Sequence, residues 1–142
     1  MDSPRQKIIA GNWKMNGKIV SIQEINSLAK EFYENEGEII ICPPSHLLIE
    51  ALEACKGSQI KIGAQNCHHE MSGPFTGEIS AEMLKDLGVE IVILGHSERR
   101  VNNFETNELI SKKAAAAHKC DLITIICVGE SETQKAAGKT SE

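Results

Sequence analysis

Five apolar runs, each five to seven residues long, alternate along the chain with stretches of helical periodicity. They are Lys7-Ile8-Ile9-Ala10-Gly11, Glu38-Ile39-Ile40-Ile41-Cys42, Ile60-Lys61-Ile62-Gly63-Ala64-Gln65, Val89-Glu90-Ile91-Val92-Ile93-Leu94 and Leu122-Ile123-Thr124-Ile125-Ile126-Cys127-Val128. Their first residues stand at 7, 38, 60, 89 and 122, so the spacing runs from 22 to 33 residues, which is what a strand, a crossover helix and two short loops require. Nearly continuous apolar strands, rich in Ile, belong to parallel sheets covered on both faces, not to half-solvated antiparallel ones. The predicted architecture is therefore α/β with five parallel strands and four to five helices.

The helices are expected between the runs. Ser21 with Glu24 reads as a capping box ahead of Ile22, Ile25, Leu28, Ala29 and Phe32, which predicts a helix up to Gly37. Ser45 is expected to cap a second helix running to Gly57. Ser80 is expected to open a third that closes at Gly88, and a fourth starts near Thr106. After the fifth run the chain looks like the start of another helix. A long loop between Asn66 and Glu78 is of the length that compact domains usually reserve for function or contact. No linker, low-complexity segment or charge block divides residues 1–142, which reads as a single domain.

Composition excludes several classes. A net charge of −5, with 15 scattered Lys and Arg residues, argues against a nucleic-acid partner. Five cysteines without a C-x-x-C pair read as reduced thiols. The amino terminus lacks an apolar signal region and no apolar run approaches 18 residues, so a cytoplasmic chain with no membrane partner is expected. Gly11-Asn12-Trp13-Lys14 lacks the G-x-G-x-x-G fingerprint of a doubly wound nucleotide binder, and Thr133 stands where a Walker motif ending at Gly138-Lys139-Thr140 would need glycine. Cys67, His68 and His69 are adjacent in sequence and have no second ligand cluster at metal-binding spacing, so no metal is expected.

Polar residues follow the strands. Asn12 and Lys14 come after the first, Gln65 and Asn66 end the third, His96, Ser97 and Glu98 follow the fourth, and Cys127 and Glu130 end the fifth. In parallel sheets these positions converge on one rim, the rim where ligands bind. A lysine beside an amide there suits a small anion.

Read with their neighbours, Asn12-Trp13-Lys14-Met15-Asn16-Gly17, Gly73-Pro74-Phe75-Thr76-Gly77-Glu78-Ile79-Ser80, Leu94-Gly95-His96-Ser97-Glu98-Arg99-Arg100 and Cys127-Val128-Gly129-Glu130 resemble four successive signatures of the triosephosphate isomerase family, in order. The resemblance implies the (β/α)₈ barrel, here an incomplete one, with residues 1–142 as its amino-terminal portion. It also implies a cofactor-free interconversion of dihydroxyacetone phosphate and glyceraldehyde 3-phosphate through an enediolate, in the cytoplasm.

Under that resemblance Asn12 and Lys14 bind the phosphorylated triose, with Lys14 also balancing charge on the enediolate. His96 is the electrophile, this family being the standing example of a neutral imidazole that polarises the substrate carbonyl opposite a glutamate base. Ser97 and Glu98 support the site, with Glu98 pairing to Lys14. Thr76 reaches into the partner's site in a homodimer, and Gln65, Arg99 and Glu105 lie at the contact. The family's general-base glutamate follows the sixth strand, beyond Glu142, so the 142 residues alone are expected to be inactive. Five strands are also expected to leave unpaired edges, and a non-catalytic, self-associating half-barrel is the alternative reading.

Overall fold

All five apolar runs form strands, and their order in the sheet follows their order in the chain. The computed structural model describes residues 7–31 and 37–140. It places β1 (Lys7–Asn12), β2 (Gly37–Cys42), β3 (Ile60–Ala64), β4 (Ile91–Leu94) and β5 (Ile123–Ile126) side by side, every pair parallel. Each crossover carries at least one helix: α1 (Ile22–Glu31), α2 (Leu48–Ala54), α3 (Ala81–Leu87), then both α4 (Ser97–Asn102) and α5 (Asn107–Lys119); α6 (Glu132–Ala136) follows β5.

Because side chains alternate across a strand, β2 and β4 each feed two cores. Ile41, Ile62, Ala64, Val92 and Leu94 face the helices, where they meet Ile25, Leu48, Leu84 and Ile110. Ile40, Cys42, Ile91 and Ile93 face the other way and pack with Ile125 and Cys127. Both faces are thus apolar, as the continuous runs required. The outer strands differ from the central ones. Ile8 and Ile9 of β1 are 58% and 66% exposed, and Ile123 and Ile126 of β5 are 56% and 44% exposed, because among the described residues each strand pairs on one side only.

Helix termini follow the sequence signals in part. The Ser80 hydroxyl accepts the Met83 N–H at 3.2 Å, and Gly88 closes α3 in the left-handed region at φ 95°. The Thr106 hydroxyl accepts the Leu109 N–H at the start of α5. Replacing Ser80, which is almost wholly buried, strands that donor. Ser80→Ala should cost about 1 kcal/mol in urea unfolding, and an unchanged midpoint would mean the cap contributes nothing.

Other signals resolve differently. Ser21 does not cap α1: it ends a single 3₁₀ turn, and its hydroxyl accepts the Lys18 N–H at 3.1 Å. Ser45 likewise opens a 3₁₀ turn whose cap is Pro44, with no side-chain bond, so it does not cap α2. The expected reach of the first helix through Phe32 lies outside the described residues. Helix α4 was not expected, since six residues are too few to display a period; it raises the number of helices beyond the anticipated four to five.

Candidate active site

The carboxyl ends of β1, β3 and β4 hold the polar residues, and the local backbone explains how. Asn12 is the last residue of β1, and its side-chain oxygen accepts the Lys14 N–H at 2.8 Å. Lys14 itself has φ +55°, a conformation that a β-carbon makes costly and that persists only where neighbours enforce it. Gln65 supplies that enforcement: its Nε2 donates to the Lys14 carbonyl at 2.8 Å and to the Cys42 carbonyl at 2.9 Å. The Trp13 N–H also donates to the Cys42 carbonyl. The loop after β1 is therefore pinned to the ends of β2 and β3.

From β4 the chain turns at Gly95, whose φ of +66° and tight surroundings favour glycine: a β-carbon there would stand 2.7 Å from Ile110 Cδ1. His96 follows as the N-cap of α4. The Glu98 N–H donates to its Nδ1 at 3.3 Å. Glu98 Oε2 lies 3.5 Å from the same nitrogen, but a ring nitrogen cannot accept from an N–H and donate to a carboxylate with one lone pair. The shorter contact has an obligatory donor, so it takes the Nδ1 lone pair. Glu98 Oε1 takes the Lys14 ammonium at 2.7 Å, and that hydrogen bond holds the Glu98 carboxyl below the usual carboxylate range. With Nδ1 accepting, the ring proton sits on Nε2.

Asn12, Lys14, Gln65, His96, Glu98 and Arg99 line one open cleft of about 530 Å³. A second, smaller cleft of about 210 Å³ adjoins it, sharing Glu78, Arg99 and Asn103. Beneath the latter lies a buried ion cluster. Glu105 Oε1 accepts Arg99 Nε at 2.7 Å and the Lys113 ammonium at 2.5 Å, and Lys113 also donates to the Asn66 side-chain oxygen at 2.9 Å. The Glu105 and Lys113 side chains are 2% and 3% exposed. Burial pushes the Glu105 carboxyl upward, but the two cations outweigh it and the net displacement is downward. Among the described residues no three His, Cys, Asp or Glu side chains gather as a metal ion would need, and no helix is long and apolar enough to cross a membrane.

The family model described as triosephosphate isomerase matches residues 7–142. The chain belongs to the triosephosphate isomerase family. It is 46% identical over 137 residues to the triosephosphate isomerase of Afipia carboxidovorans, an alignment that takes in 95% of this chain and 55% of that protein. Against the enzyme of Alkaliphilus oremlandii the identity is 47%, with 96% of this chain and 55% of the relative covered. The crystal structure of triosephosphate isomerase from Bartonella henselae superposes with a TM-score of 0.92 at 41% identity, covering 96% of this chain and 57% of that one. The chain spans about half the length of the curated relatives it matches, and its five parallel strands form part of the family's eight-stranded barrel.

Of the residues that the triosephosphate isomerase resemblance singles out, Asn12, Lys14, His96 and Glu98 come together in the larger cleft. Ser97 is exposed at the first position of α4 and does not line it. Thr76 is exposed on the long loop, beside Gly77 and Glu78, which do line it. Gln65 and Arg99 bond within the chain as described, and Glu105 is turned inward. Cys127 and Glu130, placed on the same rim by the strand pattern, do not reach the cleft. Sequence reasoning assigned nothing to Lys113 or Arg100. A buried lysine on a helix has the same spacing as a solvated one, so no sequence signal marks Lys113; Arg100 stood inside a recognised motif without a function.

Proposed function

We propose that this chain carries the substrate-binding and carbonyl-polarising half of a triosephosphate isomerase, acting on dihydroxyacetone phosphate and D-glyceraldehyde 3-phosphate in the cytoplasm. The observation that carries the reading is the joint placement of Lys14 and His96 on one cleft, with Glu98 between them. Asn12 and the Lys14 ammonium bind the phosphorylated triose. His96 donates from Nε2 to the carbonyl oxygen as proton transfer generates the enediolate, while Lys14 balances the negative charge and Ser97 supports the turn. A carboxylate must still take the carbon-bound proton. Glu98 is not free for that, being held by Lys14, so the 142 residues alone should not turn substrate over.

Binding is testable without turnover. Lys14→Met removes a charge-assisted bond to the phosphate, and glycerol phosphate should bind about ten- to a hundredfold more weakly in calorimetry. Equal affinities would remove Lys14 from the site.

The same proposal extends to a homodimer in which the Thr76 loop enters the partner's site and Gln65 and Arg99 meet it, with Glu105 acting through Arg99. The exposed isoleucines of β1 and β5 favour a second reading, a half-barrel that associates through its strand edges. Sizing chromatography of an Ile9→Lys, Ile123→Lys variant separates the two: an oligomer that becomes a monomer supports edge pairing.

A further inference from the structure

We propose that Arg100 is the residue that positions His96, an inference that rests on the isomerase reading and goes beyond it. Arg100 lies on α4, four residues past His96, and its guanidinium is spread over three separate segments. Nε donates to the Gly95 carbonyl at 2.7 Å, Nη1 to the Asn107 side-chain oxygen at 2.7 Å, and Nη2 to the Cys127 carbonyl at 2.9 Å. The first is the peptide that carries His96, the second is the opening residue of α5, and the third is the residue just past β5. The β4 side of this junction is also tied to β5 directly, since the Cys127 N–H donates to the Leu94 carbonyl.

Geometry makes the fork specific. The Gly95 carbonyl belongs to the Gly95–His96 peptide, so fixing it fixes the plane from which the His96 side chain departs. A planar guanidinium can hold three acceptors at set angles; a lysine ammonium is a single point on a flexible stem. Gly95 completes the fit, because a β-carbon at that position would stand 3.0 Å from Arg100 Nη2. Arg100 does not line the large cleft and touches no reacting atom. It acts through the peptide, and through it on the hydrogen bond between the Glu98 N–H and His96 Nδ1.

Imidazole ¹⁵N spectra of the full 142-residue chain test this, with His96 assigned by loss of its signals in His96→Gln. A ring whose Nδ1 only accepts gives two widely separated nitrogen resonances. Arg100→Lys and Arg100→Ala should draw them together as the ring exchanges tautomers, while far-UV circular dichroism and the emission of Trp13 stay unchanged. Asn107→Ala, which frees one arm of the fork, should give an intermediate separation. Undiminished separation in a folded Arg100→Ala chain overturns the proposal; if that variant does not fold, undiminished separation in both Arg100→Lys and Asn107→Ala overturns it equally. The spectra need no turnover, so they decide the positioning role even if His96→Ala proves the isomerase reading wrong. In a protein assayed at the full length of its relatives, Arg100→Lys should lower kcat by up to about a hundredfold with KM unchanged.

Discussion

Glu105→Ala is expected to destabilise the chain by about 3–5 kcal/mol in urea unfolding at neutral pH, because it removes the only carboxylate that, among the described residues, contacts the buried Lys113 ammonium. Lys113 is 3% exposed and, among the described residues, keeps just the Asn66 amide oxygen when Glu105 is gone. An ion left buried with one neutral hydrogen-bond partner carries much of its desolvation cost uncompensated. Arg99 is less affected, since it is 29% exposed and can turn toward water. The double substitution Glu105→Leu, Lys113→Met should recover much of the loss, because it removes both ions and leaves apolar groups of similar size. A single variant within about 0.5 kcal/mol of the parent, the range of an ordinary surface change, would show the cluster to be energetically neutral.

The same pair predicts a pH dependence with a definite sign. Net, Lys113 and Arg99 hold the folded Glu105 carboxyl below its ordinary value. A depressed acid contributes stability that is fully present above the unfolded value of about 4.3 and is lost as pH falls through the folded one. The gap between parent and Glu105→Ala should therefore be constant from pH 7 to about pH 5 and narrow below about pH 4.3. A gap that widens on acidification would reverse the assignment.

How far the sequence revealed this arrangement depends on the kind of interaction. The strands were legible because burial on both faces forces long apolar runs, and Ile39-Ile40-Ile41 or Ile91-Val92-Ile93-Leu94 admits few other readings. Site residues were legible for a related reason: parallel topology sends Asn12, Gln65 and His96 to one rim whatever the details of packing. Cap chemistry was less so. Ser80 and Thr106 are themselves extended and open their helices as expected, whereas Ser21 and Ser45 sit inside 3₁₀ turns that their neighbours, Lys18 and Pro44, begin. Long-range polar bonds were invisible. Nothing local says that Lys113 meets Glu105 and Asn66, or that Arg100 reaches Cys127, since each requires the crossover geometry to exist first.

In a protein assayed at the full length of its relatives, His96→Ala should lower kcat by about 10²–10³, the range that follows loss of one preorganised donor to a developing oxyanion. His96 caps α4 with a side chain that accepts the Glu98 N–H, and this places its remaining proton on Nε2 and fixes the ring's orientation before substrate arrives. A donor already aimed needs no reorganisation when the carbonyl becomes an enediolate, so its contribution falls mainly on kcat. His96→Gln retains an N–H of similar reach but not the ring's fixed plane, and should fall between the parent and the alanine variant. Fold should be preserved in both, since the imidazole is partly exposed. Loss of turnover accompanied by loss of the folded circular dichroism signal would assign His96 a structural part instead, and parent-like turnover in a folded His96→Ala protein would remove the imidazole from the mechanism.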